Sequence, residues 1–446
     1  MAEQHRQKLD LQLQSFALAG IDAWTPGEGD LALGLSAVRD TAARHGVPVV
    51  AANLRCDGAA PFPAARVAER GGLRVGFIGL IDPDLLGPQG VGGCVAEPVL
   101  PALEQALAAL GPVDGLVVLS HQDGGDDAAL APSLPQGALV VNGHGGLSHD
   151  AALAIGPGVV QLAAGSRGKA LGLAEISFAS GGVGYQGQAS EGDAKRLKRF
   201  EDRLATAREE LAAGISDPTN LARAERQVAF YEREIAELQA RLAAAATAGG
   251  PPRHEVGVQL VNLGADLPEH PETLARVEAT KAALGKGLEG APGELPASKI
   301  AYAGSPSCQS CHPAEHAQWS ATAHATAWKS LVDDGRHLDL ACWSCHATGA
   351  FDPAGPQHPM QVGPPLQGVG CEACHGAGKE HVAAPTAANI LRDPPLLTCT
   401  TCHDGVNDEG RFDWEKYRPM IAHTAAAVSA PAVSAPAVSA PAVSAP

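Results

Sequence analysis

Four Cys-x-x-Cys-His pentads occupy the last third of this 446-residue chain. They comprise Cys308, Cys311 and His312; Cys342, Cys345 and His346; Cys371, Cys374 and His375; and Cys399, Cys402 and His403. This spacing is that of covalent c-type haem attachment. Two thiols one short turn apart form thioethers with the two haem vinyl groups, and the histidine that follows is held under the iron as its proximal ligand. Two four-cysteine zinc sites would consume the same eight thiols. A zinc ribbon, however, has no use for a histidine directly after every second cysteine. A thioredoxin-like redox pair would be single and would follow a strand in a βαβ unit. The pentads therefore imply four c-type haems. Four irons in one small region imply electron transfer, at potentials set by axial ligand, hydrogen bonding and burial.

Six further histidines share this region: His316, His324, His337, His358, His381 and His423. Only seven lie in the rest of the chain. Distal ligation is their obvious use and would give low-spin bis-histidine iron suited to electron transfer. His324 and His381 lead the candidates, while His316 stands too near the first pentad to reach the opposite face of the same iron. Four of the five tryptophans, Trp319, Trp328, Trp343 and Trp414, also lie here. They would wall porphyrins or serve as ordinary core. Little protein is left per cofactor, so the macrocycles must supply much of the apolar interior. Short helices and loops are expected rather than sheet.

The formal charge of −17 argues against nucleic acid and against an anionic membrane surface, and would steer a basic redox partner protein. No apolar run approaches the length of a membrane span. The first twenty residues have no apolar h-region and no small-residue cleavage site, so they do not read as a signal peptide. Covalent haem attachment nevertheless belongs outside the bacterial cytoplasmic membrane. A periplasmic or extracytoplasmic location is therefore expected, with the true start upstream of Met1 or a leader removed. Cys56 and Cys94, outside the pentads, read as buried thiols, although an oxidising compartment would permit a bridge between them.

The elements that must position this chemistry fall into five segments. Residues 1–190 alternate short apolar runs (49–53, 73–80, 115–120, 138–141, 159–162 and 171–178) with helix candidates at 34–45 and 99–110, which predicts an α/β layered domain. Residues 191–248 carry Leu197, Phe200, Leu204 and Leu211, then Leu221, Ala224, Val228, Tyr231, Ile235, Leu238 and Leu242, at heptad spacing. The break at 214–220 has Pro218 just inside the second series, so the segment reads as an antiparallel coiled-coil hairpin serving as spacer or dimer arm. Residues 249–297 read as a short strand (255–262), a helix (271–284) and a Gly/Pro-rich linker. Residues 298–423 hold the pentads. Residues 424–446, with Ala-Val-Ser-Ala-Pro repeated four times from Ala427, read as an extended solvated tether. The expected class is multidomain, α/β followed by mostly α and loop.

The pentad region resembles the tetrahaem cytochromes c related to the nitrifiers' electron carrier. The run from Cys308 and His312 through Trp319 and Ser320 to His324 carries the likeness, with Gly370-Cys-Glu-Ala-Cys-His-Gly-Ala-Gly and the His381 after it. The resemblance implies closely packed haems, short electron hops and mostly bis-histidine ligation. Family members sometimes leave one haem five-coordinate.

The first half resembles the metallophosphoesterase domain of periplasmic 5′-nucleotidases. The carriers are Ala19-Gly-Ile-Asp-Ala-Trp-Thr-Pro-Gly27, Val49-Val-Ala-Ala-Asn53, Arg74-Val-Gly-Phe-Ile-Gly-Leu80, Gly115-Leu-Val-Val-Leu-Ser-His121 and Val140-Val-Asn-Gly-His144. That family hydrolyses phosphate esters with two metal ions. Its Asp-x-His and Gly-Asp motifs would lie before Met1. Its Gly-Asn-His-Glu element aligns to Gly27-Glu28-Gly29-Asp30, so its Asn and His are both gone, and Gly146 replaces a later ligand. His121 and His144 match two metal ligands and would form a weak remnant site with Glu28, Asp30 or Asp123. No catalytic residue is therefore expected in this half. Taken together, the sequence reads as an electron carrier with an inactive phosphoesterase-like domain. Three other readings stand beside it: a redox enzyme acting on a small nitrogen or sulfur species at a five-coordinate haem, a metal-dependent phosphoesterase with attached haems, and an assembly module that dimerises through its hairpin.

Overall fold

The computed structural model describes residues 2–123, 125–144, 148–180, 182–186, 191–212, 228–236, 238, 239, 242, 253–264, 266–286, 288, 300–403 and 412–423. It divides into two compact units, Lys8–Thr273 and Met1–Gln7 together with Leu274–Pro446.

The larger unit begins with helices α1 (Ala2–Ala19, which enters it at Lys8), α2 (Glu28–Leu31) and α3 (Leu35–His45). α3 buries Val38, Thr41 and Ala42, an i, i+3, i+4 stripe, and ends on Gly46 in the left-handed region at φ 69°, which only glycine adopts without strain. Next come β1 (Leu54–Cys56), β2 (Ala65–Arg70), β3 (Leu73–Ile81), α4 (Pro83–Leu86), β4 (Cys94–Ala96), α5 (Val99–Leu110) and β5 (Gly115–His121). They are followed by β6 (Ala138–Asn142), β7 (Leu153–Gly156), β8 (Val159–Ala163), β9 (Ala170–Ser177), β10 (Tyr185–Gln186), α6 (Glu191–Ala212) and β11 (His254–Asn262).

Six strands form one sheet in the order β2-β3-β5-β6-β8-β7. β3, β5, β6 and β8 run parallel, and antiparallel β2 and β7 close the edges. The parallel strands are near-continuous apolar runs because both faces are covered. Side chains alternate between those faces. Ile78, Leu80, Leu116, Val118, Ala138, Val140 and Val159 pack against Ala102, Leu103 and Ala106 of α5 and against Leu130, Ala131 and Leu134. Leu139 and Val160 point the other way, onto Tyr185 and Val256 of a second sheet ordered β10-β11-β9. A further core, built on Leu9, Leu13, Leu31, Val38 and Leu54, lies beneath the first helices.

Several expectations are corrected. Residues 49–53 do not form a ladder strand; they hold only the isolated bridge Trp24–Val49, and pairing starts at β1 with β4. The strand expected in a separate segment at 255–262 is β11, and eight of its residues pair with β9, so it completes this unit's second sheet. Cys56 and Cys94 are not free thiols: they form a disulfide that staples β1 to β4. α6 and the helical residues 228–236 share an apolar seam of Phe200, Leu204, Tyr231 and Leu238, flanked by an Arg208–Glu232 ion pair of 2.7 Å. The break expected at 214–220 and the tail at 424–446 lie outside the described residues.

The smaller unit is a set of short helices and loops around a compact core of Trp328, Leu331, Leu340, Trp343, Val362 and Leu366. Gln4 anchors its first residues by donating to the carbonyls of Leu284 (3.0 Å) and Leu338 (2.7 Å) and accepting from Leu340 N–H (2.9 Å). Among the described residues, no helix is long and apolar enough to cross a membrane.

The Cys56–Cys94 bridge spans a separation of 38 residues, and closing a loop of that length stabilises a fold by about 3 to 4 kcal/mol. The double variant Cys56→Ser/Cys94→Ser is expected to lose that amount, read as a lower urea midpoint for the larger unit. An unchanged midpoint would contradict a stabilising role for the bridge.

Candidate functional site

Each pentad folds as a single helical turn. The third forms the helix Cys371–His375, and the second the helix Trp343–His346 directly after Cys342. In the first and fourth, the histidine N–H donates back to the carbonyl of the first cysteine at 2.9 Å, His312 to Cys308 and His403 to Cys399. A helical turn puts i, i+3 and i+4 on one face. Both thiols and the histidine of each pentad are thereby presented together.

The third pentad is the most firmly seated. Glu372, buried to 3% exposure, accepts from the N–H groups of Ala303 (2.8 Å), Gly304 (2.6 Å) and Gly378 (2.6 Å). Thr348 Oγ1 accepts from Gly370 N–H at 2.8 Å, and Ser305 Oγ accepts from Cys371 N–H at 3.1 Å. These contacts tie residues near 303, 348 and 372 into one knot.

The thiols also report on how the pentads are arranged. Cys308 and Cys371 are hydrogen-bonded, which raises the Cys308 thiol and lowers that of Cys371 to about 6. Cys402 is hydrogen-bonded to Cys345, and that contact with burial pushes its thiol up. Burial raises Cys374, with a further contribution from the charge of Cys399. Adjacent attachment points therefore run first to third, third to fourth and fourth to second. A cleft of about 380 Å³ lies between Trp319, Trp328, Val332, Pro364 and Pro365, with Ser305, Lys329 and Gln367 supplying a polar side.

The histidines test the fit most directly. An imidazole nitrogen bonds a first-row metal at about 2.0 Å, and the ring centre lies roughly 1.2 Å behind it, so two rings sandwiching one ion have centres about 6.3 Å apart. Three pentad histidines face another histidine at that spacing. His312 and His381 are 6.5 Å apart, His403 and His324 are 6.3 Å apart, and His375 and His423 are 6.0 Å apart. Burial first, then the facing ring, depresses His324 and His423. Several of these rings are also held through Nδ1, which leaves Nε2 for a metal. His375 Nδ1 lies 2.6 Å from the carbonyl of Leu391, and His381 Nδ1 lies 2.9 Å from Asn389 Oδ1. His346 Nδ1 lies 2.7 Å from the carbonyl of Ala327. Among the described residues, no ring pair of this kind includes His346.

The other candidates sit elsewhere. His316 packs edge-on against Trp319, 5.3 Å between ring centres. His337 offers its carbonyl to Trp343 Nε1 (3.0 Å), and the backbone N–H of His358 donates to Gln361 (3.1 Å).

In the larger unit, His121 closes β5 and His144 follows β6, at the carboxyl ends of adjacent parallel strands where open α/β sheets gather ligands. Glu28, the first residue of α2, meets His121 Nε2 at 2.5 Å. The donor atoms of Glu28, His121 and His144 all lie within 4.8 Å of one another. Burial pushes the Glu28 carboxyl up, but the hydrogen bond to His121 and the charges of both histidines hold it below the ordinary range. Gly27 allows the approach, since a Cβ there would lie 2.6 Å from His121 Nε2. Asp30 is turned to its own Gly27 N–H (2.9 Å), and Asp123 stands 3.7 Å from His144 Nε2.

Comparison with known proteins bears on both units. The family described as cytochrome c554 and c-prime matches residues 307–376. Cytochrome c-554 of Nitrosomonas europaea is 34% identical over 102 residues, 20% of this chain and 43% of that protein. The carboxy-terminal region resembles cytochrome c-554. This chain thus spans less than half the length of the curated relative. Among solved structures, similarity is found to the sulfate thiohydrolase SoxB of Thermus thermophilus, with TM-score 0.40 and 18% identity over 61% of this chain and 39% of that one. A 5′-nucleotidase precursor, also from Thermus thermophilus, matches with TM-score 0.32 and 26% identity over 38% of each chain. The calcineurin-like phosphoesterase YfkN of Bacillus subtilis matches with TM-score 0.32 and 20% identity over 39% of this chain and 63% of that one.

Sequence reasoning missed the carboxylate that organises these strand ends. Asp127, fully buried, accepts from Ser120 Oγ (2.5 Å), Gln161 Nε2 (2.7 Å), Asn142 Nδ2 (2.8 Å) and Gln122 Nε2 (3.3 Å). Asn142 in turn accepts from the N–H of His144 at 3.0 Å. An aspartate in the short 3₁₀ helix Asp126–Ser133 gives no periodic signal, and the polar residues Ser120, Asn142 and Gln161 within three apolar strands were the available clue.

Burial lifts the Asp127 carboxyl above its ordinary range against those four hydrogen bonds. The folded state then keeps a proton that the unfolded chain has released. Stability falls as pH rises from the unfolded value of about 3.9 towards the folded pKa. Asp127→Asn is expected to remove that slope while costing about 1 to 3 kcal/mol, because its NH₂ would face donors. Urea midpoints of both proteins across acid pH check this, and parallel curves would refute it.

Proposed function

We propose that the smaller unit binds four c-type haems through its four pentads and passes electrons between them outside the cytoplasm. The observation that carries this reading is the set of three histidine pairs, His312–His381, His375–His423 and His403–His324, at the 6.0 to 6.5 Å that one intervening iron requires. When bound, the haem irons supply one-electron redox steps. The chain's own residues do the rest. The eight pentad cysteines would tether the macrocycles, the four pentad histidines would each hold an iron, and in three cases an opposite histidine would hold it from the other side. Hydrogen bonds at Nδ1 hold ring orientation, so little reorganisation accompanies electron transfer. The adjacency of attachment thiols supports a relay ordered first, third, fourth, second. The charge of −17 favours a basic redox partner, and the Cys56–Cys94 disulfide suits an oxidising compartment.

A specific observation favours a second role at one position. His346 has no opposing histidine among the described residues, so its iron would keep an open sixth site. A small nitrogen or sulfur species could then be reduced or oxidised there. Carbon monoxide titration of the reduced holoprotein separates these roles, with uptake by about one haem in four expected from the ligand count. Uptake at no haem would remove the open site, and uptake at most of them would overturn the histidine pairs.

For the larger unit we infer a single divalent-metal site and no phosphoesterase turnover. Two-metal hydrolysis needs a ligand set for both ions. Among the described residues, Glu28, His121 and His144 gather donors enough for one, in the two-histidine, one-carboxylate set that suits zinc. Titration with zinc should give one site per chain, lost in Glu28→Ala, and metal-loaded protein should release no phosphate from a nucleotide. Release that disappears in His121→Ala would overturn the second half of this reading.

A further inference from the structure

The three facing histidines are not held alike. His324 and His381 are half-buried, whereas His423 is exposed. His423 also follows the helix Trp414–Ile421, which buries none of its side chains and carries Pro419 within it. Apolar packing therefore does little to place this ring. Hydrogen bonds from one distant side chain do.

Gln318, 105 residues earlier, puts three hydrogen bonds on this segment. Its Nε2 donates to the carbonyls of Met420 (3.4 Å) and Ala422 (3.2 Å), and its Oε1 lies 2.8 Å from His423 Nδ1. Carbonyls in and just past the last turn of a helix lack intrahelical partners, so the amide NH₂ caps this helix end. That contact settles the amide's orientation, because a carbonyl accepts only from the NH₂ side. The oxygen must then face His423, and Nδ1 must carry the proton that it accepts. A neutral imidazole bears one N–H, so Nε2 is left with its lone pair. Gln318 thus fixes position and tautomer together, as partners of metal-bound histidines characteristically do.

We propose that Gln318 is the positioning residue that delivers His423, in its metal-binding tautomer, to the iron of the third pentad opposite His375. The proposal rests on the histidine-pair reading above.

The test uses reduced holoprotein and two variants. His423→Ala is expected to raise carbon monoxide uptake by one haem per chain, and Gln318→Leu, of nearly the same size, to raise it by the same amount. A Gln318→Leu protein with wild-type uptake beside a His423→Ala protein with raised uptake would overturn the role of Gln318. No rise in His423→Ala would overturn the histidine pair itself. Gln318→Glu guards against a misfolded leucine variant. It keeps an acceptor for Nδ1–H and makes it anionic but gives up both donations to the carbonyls of Met420 and Ala422, so it should raise carbon monoxide uptake less than Gln318→Leu does and lower the reduction potential of one haem of the four. Unchanged potentials in that variant would also count against the proposal.

Discussion

The haem-binding role proposed for the carboxy-terminal unit depends on a separation between imidazole rings. A metal held from both sides needs two ring centres about 6.3 Å apart. Three pentad histidines meet this condition with partners remote in the chain: His375 and His423 are 48 residues apart, His312 and His381 are 69, and His324 and His403 are 79. Hydrogen bonds tie the chain together around these rings. Glu372 gathers three backbone N–H groups around the third pentad. Trp319 donates through Nε1 to the carbonyl of Val369 at 2.8 Å, and Val369 N–H donates to the carbonyl of His324 at 2.9 Å. A small apolar core of Trp328 and Trp343 could not by itself define positions to that tolerance.

The larger unit meets the same demand with regular structure. Parallel strands bring their carboxyl ends side by side, and the polar residues there satisfy one another around Asp127. His121 and His144 inherit their mutual placement from the register Ser120↔Asn142. The Glu28 carboxylate then meets His121, and the donor atoms of Glu28, His121 and His144 lie within 4.8 Å of one another.

Much of the fold was legible from the chain alone. Apolar runs at 73–80, 115–120, 138–141 and 159–162 became β3, β5, β6 and β8 within a residue or two, because a strand covered on both faces is simply an unbroken apolar segment. The helix expected at 99–110 is α5 as read. Residues 49–53 misled because an apolar run also suits a buried extended segment with no ladder partner. β11 was read as a strand but not as part of the first domain, since the pairing that places it, from Glu255↔Ser177 to Asn262↔Ala170, joins residues far apart in sequence.

The chemistry divides along the same line. Sequence alone marked the proposed attachment points, because Cys-x-x-Cys-His is a local pattern whose geometry one helical turn supplies. It also determined that spare histidines crowd the same region. Only the tertiary structure decided which of them face which pentad, that His346 stands apart, and that Glu28 joins His121 and His144. Those facts are distances between residues remote in the chain, and no local pattern encodes them. The roles of Gln318 and Asp127 belong with them: a single polar side chain gains its function from the groups that folding brings to it.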